Sequence, residues 1–359
     1  MEYSFRFRKR AASGRAQAAE LREDSVTIRF ALLGAGRIGR VHAAAIAADP
    51  DAVLAAVADP VKDAANAVSA RFGGELRTID EIEKASDIDA VVICTPTDTH
   101  ADLIERFARA GKAIFCEKPV DLSIARVRQC LKTVEETGAT LMIGFNRRFD
   151  PHFRAVRKAI DDGRIGNVEM VQIVSRDPGP PPADYITSSG GIFRDMTIHD
   201  FDMARFLLGE EPDVVFATAS VLVDPEIGRL GDFDSASVTL TTASGRHCTI
   251  SNSRRAVYGY DQRIEVHGSK GAVSAENQRP VAIEIATAEG YTRPPLHDFF
   301  MTRYTAAYAA EISAFIEAVK EKKTPSPSGA DGLAALLLAE AALKSVAEGR
   351  AVRLSEIGI

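Results

Sequence analysis

Apolar residues follow two different patterns along the chain, and each pattern predicts a different kind of domain. Between residues 28 and 148, short continuous apolar runs alternate with segments whose apolar residues recur every three or four positions. Continuous runs are typical of strands buried on both faces, and the recurring pattern is typical of amphipathic helices. This part of the chain therefore predicts a parallel sheet covered by helices on both faces.

The order of these segments is regular. The predicted strands are IRFALLGAG, VLAAVADP, AVVICTP, AIFCEKP and ATLMIGFN. The predicted helices between them are RIGRVHAAAIAAD, AANAVSARFG, HADLIERFARAG and SIARVRQCLKTVEETG. Alternation of strand and helix predicts an open sheet in which ligands bind beyond the carboxyl ends of the strands.

The pattern changes in residues 149–359, which we predict to form a second α/β domain. A helix at PHFRAVRKAIDDG and a strand at VEMVQIVSRD precede a proline-rich loop at residues 178–182. Between residues 213 and 275, β-type segments separated by turn residues favour an antiparallel sheet. Two helices, near residues 303–320 and 331–348, close the chain.

The segment GGIFRDMTIHDFDMARFLLG combines an apolar pattern with three polar side chains at helical spacing. Asp195, His199 and Asp202 are spaced i, i+4, i+7, which places them within an arc of roughly 60° on a helix. The other face is apolar and is predicted to be buried; it comprises Met196, Ile198, Phe201, Met203, Phe206 and Leu207. Two interpretations remain open at this point: a solvated polar face, or a helix that presents two carboxylates and an imidazole to a reaction site.

A glycine-rich turn follows the first predicted strand. The hexapeptide GAGRIG matches the pattern GxGxxG, and it ends a strand and begins a helix, as dinucleotide-binding loops do. Gly34 permits the tight turn, Gly36 lets a pyrophosphate approach the backbone, and Gly39 lets helix and strand pack closely. The helix N-terminus offers free N–H groups and the positive end of a dipole to the anion.

Three more residues complete the predicted nucleotide site: Arg37 and Ile38 within the loop, and Asp59 at the end of the second strand. Asp59 lies twenty residues beyond Gly39. A carboxylate at this position accepts hydrogen bonds from the ribose hydroxyls and repels a 2′-phosphate. No arginine adjoins Asp59, so the sequence predicts NAD in preference to NADP.

Polar clusters follow the third, fourth and fifth predicted strands: TPTDTH, CEKP and GFNRR. Because the carboxyl ends of parallel strands meet at one edge of a sheet, these clusters converge on the crevice predicted for the nicotinamide. The cofactor contacts predicted from the first two clusters are Thr95, Pro96, His100, Glu117 and Lys118. His100 is expected either to serve this crevice or to cap the helix that follows it.

Composition narrows the class of protein. The chain has 359 residues, of which 46% are hydrophobic and 26% charged, with a formal net charge of −6. This balance disfavours a nucleic-acid or membrane-surface binder, and no apolar run approaches the ~18 residues that a membrane span requires. The four cysteines form no CxxC pair, so reduced thiols and a cytoplasmic location are expected. The remaining histidines lack partners at metal-ligand spacing, and no metal site is predicted.

Residues 1–27 differ from the rest of the chain. They are rich in Arg and Ala and contain no apolar core of a secretory signal. We expect a flexible extension or an upstream start codon, and an Arg-rich transit peptide is the alternative.

These motifs together resemble the glucose–fructose oxidoreductase/inositol dehydrogenase family (Gfo/Idh/MocA). The matching segments are GAGRIG, CTPTDTH, EKP, GFNRRFDP, GGIFRDMTIHDFDMARFL and FFMTRYTAAYAAEISAFIEAV, and the resemblance covers roughly residues 28–355. EKP and GxGxxG occur across the family, whereas DMTIHDFDMAR points to its cyclitol-oxidising branch. The resemblance implies a Rossmann domain followed by an α/β domain with a large, open, mostly antiparallel sheet, and a cis bond between Lys118 and Pro119.

The resemblance also implies roles for single residues. Lys118, Asp195 and His199 would form a catalytic triad, and Asp202 and Arg147 would contact a cyclitol or sugar substrate. NAD would accept a hydride from a ring carbon, as in the oxidation of myo-inositol to its 2-keto form. His199 would take the hydroxyl proton, Asp195 would orient His199, and Lys118 would stabilise the developing alkoxide. Pairing of two open sheets would give a homodimer or homotetramer.

Other functions remain open from the sequence. A dehydrogenase of the same family acting on scyllo-inositol, a sugar or another polyol would share all of these motifs. A lyase-type NAD-dependent glycosidase would oxidise its substrate only transiently and would accumulate no NADH. A non-catalytic NAD sensor would need neither a base nor an electrophilic lysine, and no helix-turn-helix motif or basic stripe predicts DNA binding. The tyrosines that are candidates for substrate contact without an assigned role are Tyr258, Tyr260, Tyr304 and Tyr308.

Overall fold

A six-stranded parallel sheet forms the centre of the first half of the protein in the computed structural model, which describes residues 27–357. Its strands are β1 (Ile28–Leu33), β2 (Ala52–Ala58), β3 (Glu75–Leu76), β4 (Ala90–Ile93), β5 (Ala113–Glu117) and β6 (Leu141–Gly144). They lie in the order β3-β2-β1-β4-β5-β6. The order reverses between β1 and β4, which is where ligands bind in open sheets of this kind.

Helices connect these strands: α1 (Arg37–Ala48), α2 (Lys62–Phe72), α3 (Ile79–Lys84), α4 (His100–Arg109) and α5 (Ile124–Thr137). Local sequence sets their ends. The Ser123 hydroxyl accepts a hydrogen bond from the backbone N–H of Arg126 at the start of α5. Gly138 ends the same helix in the left-handed conformation, with φ at 66°.

A second sheet of seven strands, in the order β12-β11-β7-β10-β9-β8-β15, dominates the rest of the chain. Its strands are β7 (Val168–Arg176), β8 (Pro212–Ser220), β9 (Ser235–Thr242), β10 (His247–Ser253), β11 (Asp261–Gly268), β12 (Gly271–Ala275) and β15 (Val352–Arg353). Only β7 and β10 pair in parallel, and every other pair is antiparallel. A separate hairpin joins β13 (Ile285–Thr287) to β14 (Gly290–Thr292).

The helices of the second half are α6 (Pro151–Asp161), α7 (Ala183–Ser189), α8 (Ile192–Asp195), α9 (Thr197–Leu208), α10 (Pro225–Arg229), α11 (Phe300–Arg303), α12 (Thr305–Glu321) and α13 (Gly329–Glu348). Two of them return to the first sheet. Helix α12 packs against α1, and Phe315 on α12 contacts the rings of Phe30 and Phe115 at centroid distances of 6.1 and 5.8 Å. The apolar core is therefore continuous from one sheet to the other.

The predicted pair of α/β domains is confirmed, with one parallel sheet and one mostly antiparallel sheet. The sequence patterns missed several elements that are too short to show a periodic pattern. These are the strands β3 and β15, the helices α3, α7, α10 and α11, and the β13–β14 hairpin. Residues 1–26, which hold nearly all of the predicted N-terminal extension, lie outside the described residues. Within residues 27–357, no helix is both long and apolar enough to cross a membrane.

Candidate active site

The glycine loop after β1 has the three properties that dinucleotide binding requires. Gly34 has a φ of +95°, and a Cβ there would lie 2.6 Å from the carbonyl oxygen of Cys94. A Cβ on Gly39 would lie 2.0 Å from the carbonyl oxygen of Gly34. A Cβ on Gly36, in contrast, would meet no atom of residues 27–357 within 4 Å. Gly34 and Gly39 therefore allow close packing within the protein, while Gly36 leaves open space at the start of α1 for an anion.

Asp59 follows β2 and faces this loop. Its carboxylate accepts hydrogen bonds from the backbone N–H of Ala35 at 2.6 Å and of Val61 at 2.7 Å. The carboxylate is thus fixed at the edge of the sheet beside the start of α1, as the prediction for a ribose-binding residue requires. The open approach at Gly36, the free N–H groups at the start of α1 and this carboxylate fit a dinucleotide.

The loops after β4 and β5 are tied together by His100. Its Nδ1 lies 2.7 Å from the carbonyl oxygen of Pro119, and its Nε2 lies 2.8 Å from the carbonyl oxygen of Thr95. The ring is 2% exposed. His100 therefore fixes the crevice by joining two of its walls, and the Lys118–Pro119 bond is cis, as the family resemblance implied.

Lys118 and Asp195 come together from opposite halves of the chain. Lys118 Nζ donates to the backbone oxygen of Asp195 at 2.8 Å and to its Oδ1 at 3.2 Å. The side chains are 13% and 12% exposed. The crevice beyond β5 thus holds an ammonium group and a carboxylate that are shielded from bulk water but still reachable.

Asp195 has two further partners. Tyr185 Oη donates to its Oδ1 at 2.8 Å, and Arg254 NH1 lies 3.5 Å from its Oδ2. Burial alone would raise the pKa of Asp195, but the charges of Lys118 and Arg254 and the hydrogen bond from Tyr185 outweigh it. The pKa of Asp195 therefore lies below its usual value, and the carboxylate stays ionised at neutral pH.

His199 lies beside Lys118, edge-on to Phe145 with ring centroids 6.1 Å apart. Neither ring nitrogen hydrogen-bonds to another residue in the range 27–357, and Nδ1 is buried. Burial first, and then the charges of Lys118 and Arg147, lower the pKa of His199 well below its usual value. The imidazole is therefore neutral at neutral pH, which is the form that can accept a proton.

The structure does not give the predicted contact between Asp195 and His199. Asp195 ends α8, His199 lies in the first turn of α9, and Met196 separates the two helices with φ −94° and ψ −59°. The i, i+4 spacing therefore does not run along one continuous helix. Among the described residues, the Asp195 carboxylate contacts Lys118, Tyr185 and Arg254 instead.

Arg147, predicted to contact substrate, is held inside the protein. Its NH1 donates to Ser175 Oγ at 2.9 Å and also to Asp200 Oδ1. Asp200 further accepts from Ser175 Oγ at 2.6 Å and from Asn252 Nδ2 at 2.8 Å. The Arg147 side chain is only 6% exposed. These contacts place Arg147 in a buried polar network beneath the site and engage its NH1 group there.

Asp202 is likewise held in a buried ion pair. Arg148 binds it through Nε at 2.7 Å and NH2 at 2.6 Å, and Asp202 is 1% exposed. Asp331, at the start of α13, joins the same pair through Arg148 NH2 at 3.0 Å. Asp202 therefore links α9 to α13 and is not brought together with Lys118, Asp195 and His199. The partner residue Arg148 could not be chosen from spacing within one helix.

Three residues of the site were missed from the sequence: Tyr185, Arg254 and Asp177. Asp177 follows β7 directly, and its burial raises its pKa to about 7 despite the opposing charge of Arg254. Arg254 follows β10 and is 1% exposed. Their positions could have indicated two of them, because Asp177 and Arg254 directly follow neighbouring parallel strands, and the carboxyl ends of such strands meet at one edge of the sheet.

The start of α8 depends on a glycine. Gly191 has a φ of +84°, and a Cβ there would lie 2.6 Å from Asp232 Oδ1. That same oxygen accepts a hydrogen bond from the backbone N–H of Ile192 at 2.9 Å. Asp232 also lies 3.6 Å from Arg254 NH2. Gly191 thus lets Asp232 approach the backbone that carries Asp195.

Comparison with known proteins follows the same division of the chain. Residues 28–145 match the oxidoreductase family's NAD-binding Rossmann fold, and residues 157–354 match its C-terminal alpha/beta domain. An inositol 2-dehydrogenase of Rhizobium meliloti (strain 1021) is 72% identical over 330 residues, which are 92% of this chain and 100% of that protein.

Solved structures of inositol dehydrogenases share the fold of this chain. A myo-inositol dehydrogenase from Corynebacterium glutamicum ATCC 13032 superimposes with a TM-score of 0.88 at 46% identity, covering 91% of this chain and 99% of that one. A scyllo-inositol dehydrogenase from Lactobacillus casei, with bound NAD(H) and scyllo-inositol, gives a TM-score of 0.85 at 28% identity, covering 92% and 99%. The chain belongs to the Gfo/Idh/MocA family of NAD-dependent oxidoreductases.

Proposed function

We propose that the protein oxidises a secondary hydroxyl of a cyclitol with NAD, most simply myo-inositol to 2-keto-myo-inositol. The observation that carries this proposal is the convergence of Lys118 and a neutral His199 at the edge of the sheet that carries the glycine loop. An alcohol oxidation needs a proton acceptor and a stabiliser of alkoxide charge at one point beside the nicotinamide. The 72% identity to an inositol 2-dehydrogenase supports the choice of cyclitol.

His199 is the proposed base. Its imidazole is neutral and unpartnered, so it can take the proton of a bound hydroxyl. Burial and two nearby cations make the imidazolium unfavourable, so His199 gives up the accepted proton readily. When bound at the glycine loop, NAD supplies the hydride acceptor.

Lys118 is the proposed electrophile. Asp195 holds its ammonium group through two hydrogen bonds, at 2.8 and 3.2 Å. The remaining donor of the ammonium can face the reacting oxygen and stabilise negative charge on it. In this scheme Asp195 orients Lys118 rather than His199, and Tyr185 and Arg254 fix Asp195 in turn.

The neighbouring hydroxyls of the substrate require other donors and acceptors. Arg147 and Asp202 are engaged in buried ion pairs, so we assign them to the frame of the site. Asp177 and Tyr185 flank Asp195 and are the proposed hydroxyl-binding residues.

A related substrate is the second candidate. The fold likeness to a scyllo-inositol dehydrogenase with scyllo-inositol bound favours that isomer over an unrelated polyol. The carboxylate of Asp59 beside the start of α1 supports NAD over NADP in either case.

The test is an NADH-absorbance assay over myo-, scyllo- and chiro-inositol and common sugars. We expect NADH with at least one inositol, and no NADH with any cyclitol despite NAD binding would refute the proposal. In the same assay, Lys118→Met and His199→Ala should each lower kcat by about 10²- to 10⁴-fold while NAD affinity stays unchanged. Unchanged turnover in both variants would remove these residues from the mechanism.

We also propose a homodimer or homotetramer that forms through the outer face of the seven-stranded sheet. Strand β9 alternates buried Val238 and Leu240 with outward Ser237 and Thr239, and Phe216 of β8 pairs with Thr239 across the strands while remaining 42% exposed. An open groove of about 470 Å³ lies on this face. The part of this face around β8, β9 and β10 carries mostly small uncharged side chains and the exposed Phe216, which suits pairing with its own copy.

The cytoplasm is the proposed location. Cys94, Cys116, Cys130 and Cys248 are all buried free thiols, and burial raises the pKa of each, which favours the reduced, protonated form. This pattern supports a reducing compartment.

A further inference from the structure

A second group of ionisable side chains lies beneath the crevice. His42 on α1, Glu117 at the end of β5 and Glu311 on α12 bring one ligand-type atom each to within 4.8 Å of one another. His42 Nε2 lies 2.6 Å from Glu117 Oε1. His42 and Glu311 are each 0% exposed. Three parts of the chain that are distant in sequence therefore meet at one water-excluded point.

Glu311 is the unusual member. Neither of its carboxyl oxygens has a hydrogen-bond partner among residues 27–357, and His42 Nδ1 is also unpartnered. A buried, unpaired carboxylate beside a second carboxyl group would be strongly unfavourable, so the group must hold a proton or a cation. Burial first, and then the charge of Glu117, raise the pKa of Glu311 well above its usual value.

Neighbouring residues leave room for His42, Glu117 and Glu311 and pack against them. A Cβ on Gly144, at the end of β6, would lie 3.1 Å from the Glu117 carboxyl group, so glycine leaves room for that side chain. The ring of Tyr308, one turn before Glu311 on α12, contacts the ring of His42 edge-on at 5.6 Å. Glu117 is joined directly to Lys118, the residue that meets Asp195. The backbone of Lys118 is therefore anchored from behind by this group.

We propose that His42, Glu117 and a protonated Glu311 form a buried proton-holding triad that positions Lys118. His42 of α1 and Glu311 of α12 both lie against the Glu117 side chain. Glu117 in turn fixes the backbone that precedes Lys118, whose side chain extends into the site. His42 and Glu311 are positioning residues, because neither touches the reaction site. The inference rests on the proposed function only in its kinetic part.

The first test measures the proton on Glu311 without any substrate. A buried acid with a raised pKa binds a proton in the folded state that the unfolded state releases above about pH 4.5, so its contribution to stability falls as pH rises. In Glu311→Gln this loss is absent. The Tm of Glu311→Gln relative to the parent protein should therefore increase steadily from about pH 5 to pH 8.

The matched control is Glu317→Gln, on an exposed position of the same helix, which should show no such pH-dependent difference. The titratable groups facing Glu311 are Glu117, His42, Tyr308 and Cys94, and all of them are retained in both variants. A Tm difference that does not change with pH would mean that Glu311 ionises normally, and it would overturn the triad.

The second test separates positioning from folding. Glu311→Gln, which mimics the neutral acid, should keep kcat within about twofold. Glu311→Leu should lower kcat by up to about 100-fold, as a displaced catalytic group does, with the Kd for NAD unchanged. Full kcat in a folded Glu311→Leu would overturn the positioning role. If Glu311→Leu does not fold, Glu311→Gln still decides the proposal through its Tm series.

A bound divalent cation is the rival occupant, because one imidazole and two carboxyl groups can ligate zinc. Metal analysis of the purified protein distinguishes the two. Stoichiometric metal that is lost in Glu311→Gln would overturn the proton-holding triad. If the parent protein oxidises no cyclitol, the proposed function fails, while the Tm series and the metal analysis still decide the triad.

Discussion

At the scale of single residues, burial and neighbouring charges together set the protonation states of the site. Asp195 is ionised because two cations and a tyrosine hydroxyl surround it, and His199 is neutral because it is buried beside two cations. Asp177 lies between these extremes, with a pKa of about 7 that burial raises and Arg254 opposes. Asp177 is therefore the group of the site that changes charge at physiological pH.

This state of Asp177 predicts a pH effect. In the proposed binding mode the ionised carboxylate accepts a hydrogen bond from a substrate hydroxyl, so kcat/KM should rise through pH 7 as Asp177 loses its proton. In Asp177→Asn that part of the rise should disappear, and the ratio of the two kcat/KM values should change most between pH 6 and 8. The control Asp184→Asn, at an exposed position on α7, should follow the parent profile. A rise of equal size in Asp177→Asn would exclude Asp177 as its origin.

Residue types and strand ends predicted that the side chains after β1 and β5 would meet at one edge of the sheet, and the structure brings Lys118 there into contact with Asp195. The catalytic roles of Lys118, Asp195 and His199 stay predictions. The sequence did not indicate the ion-pair partners of Asp202 and Arg147, which are Arg148 and Asp200. Their partners are determined by contacts across the fold: Arg148 joins Asp202 to Asp331, which lies 183 residues from Arg148 in sequence. Spacing within one helix carries no information about such partners.

At the scale of elements, two glycines of the glycine loop serve folding and the third serves nucleotide binding. Gly34 and Gly39 are packed against backbone, while Gly36 faces open space with φ at −69°, a conformation that any residue adopts. The sequence pattern predicted all three glycines, but it did not reveal the break at Met196 between α8 and α9. A break of this kind keeps both flanks helical and leaves the apolar pattern intact, so periodicity does not detect it.

These separate roles of the glycines predict different results for two alanine variants. Gly36→Ala should fold with an unchanged Tm but weaken NAD binding by about tenfold or more, because its methyl group occupies the approach of the pyrophosphate. Gly34→Ala should lose stability, because it combines a φ of +95° with a 2.6 Å contact to a carbonyl oxygen. Thermal melts and NAD titration by fluorescence check both. Equal NAD affinity in Gly36→Ala and the parent protein would show that the anion binds elsewhere.

At the scale of the whole molecule, the two sheets could be predicted and their attachment could not. Alternating and continuous apolar runs distinguished the parallel sheet from the mostly antiparallel one. In the sequence, helices α12 and α13 look like ordinary amphipathic helices, and nothing in their pattern indicates what they pack against. The structure shows that Phe315 of α12 contacts Phe30 and Phe115 of the first sheet. The two sheets are therefore formed by successive parts of the chain, but they share one continuous apolar core.

The outer face of the second sheet yields a prediction about assembly. Thr239 lies in the middle of this face, paired with Phe216 on one side and Thr249 on the other. Thr239→Arg places a charge where two copies would meet, so light scattering after size-exclusion chromatography should show a monomer. Thr137→Arg, at an exposed position at the end of α5, serves as the control for an added surface charge. An unchanged oligomer in Thr239→Arg would exclude this face as the interface.

The return of α12 to the first sheet has a consequence for how the protein is made. Phe115 emerges from the ribosome 200 residues before Phe315, so at ~5–20 residues per second the face that α12 covers waits roughly 10–40 s for its partner. During that interval the nascent Rossmann half exposes apolar side chains, and Glu117 lacks Glu311. The nascent chain therefore keeps this apolar surface uncovered until α12 is synthesised, and the core of the nucleotide-binding half is completed only after Phe315 has left the ribosome.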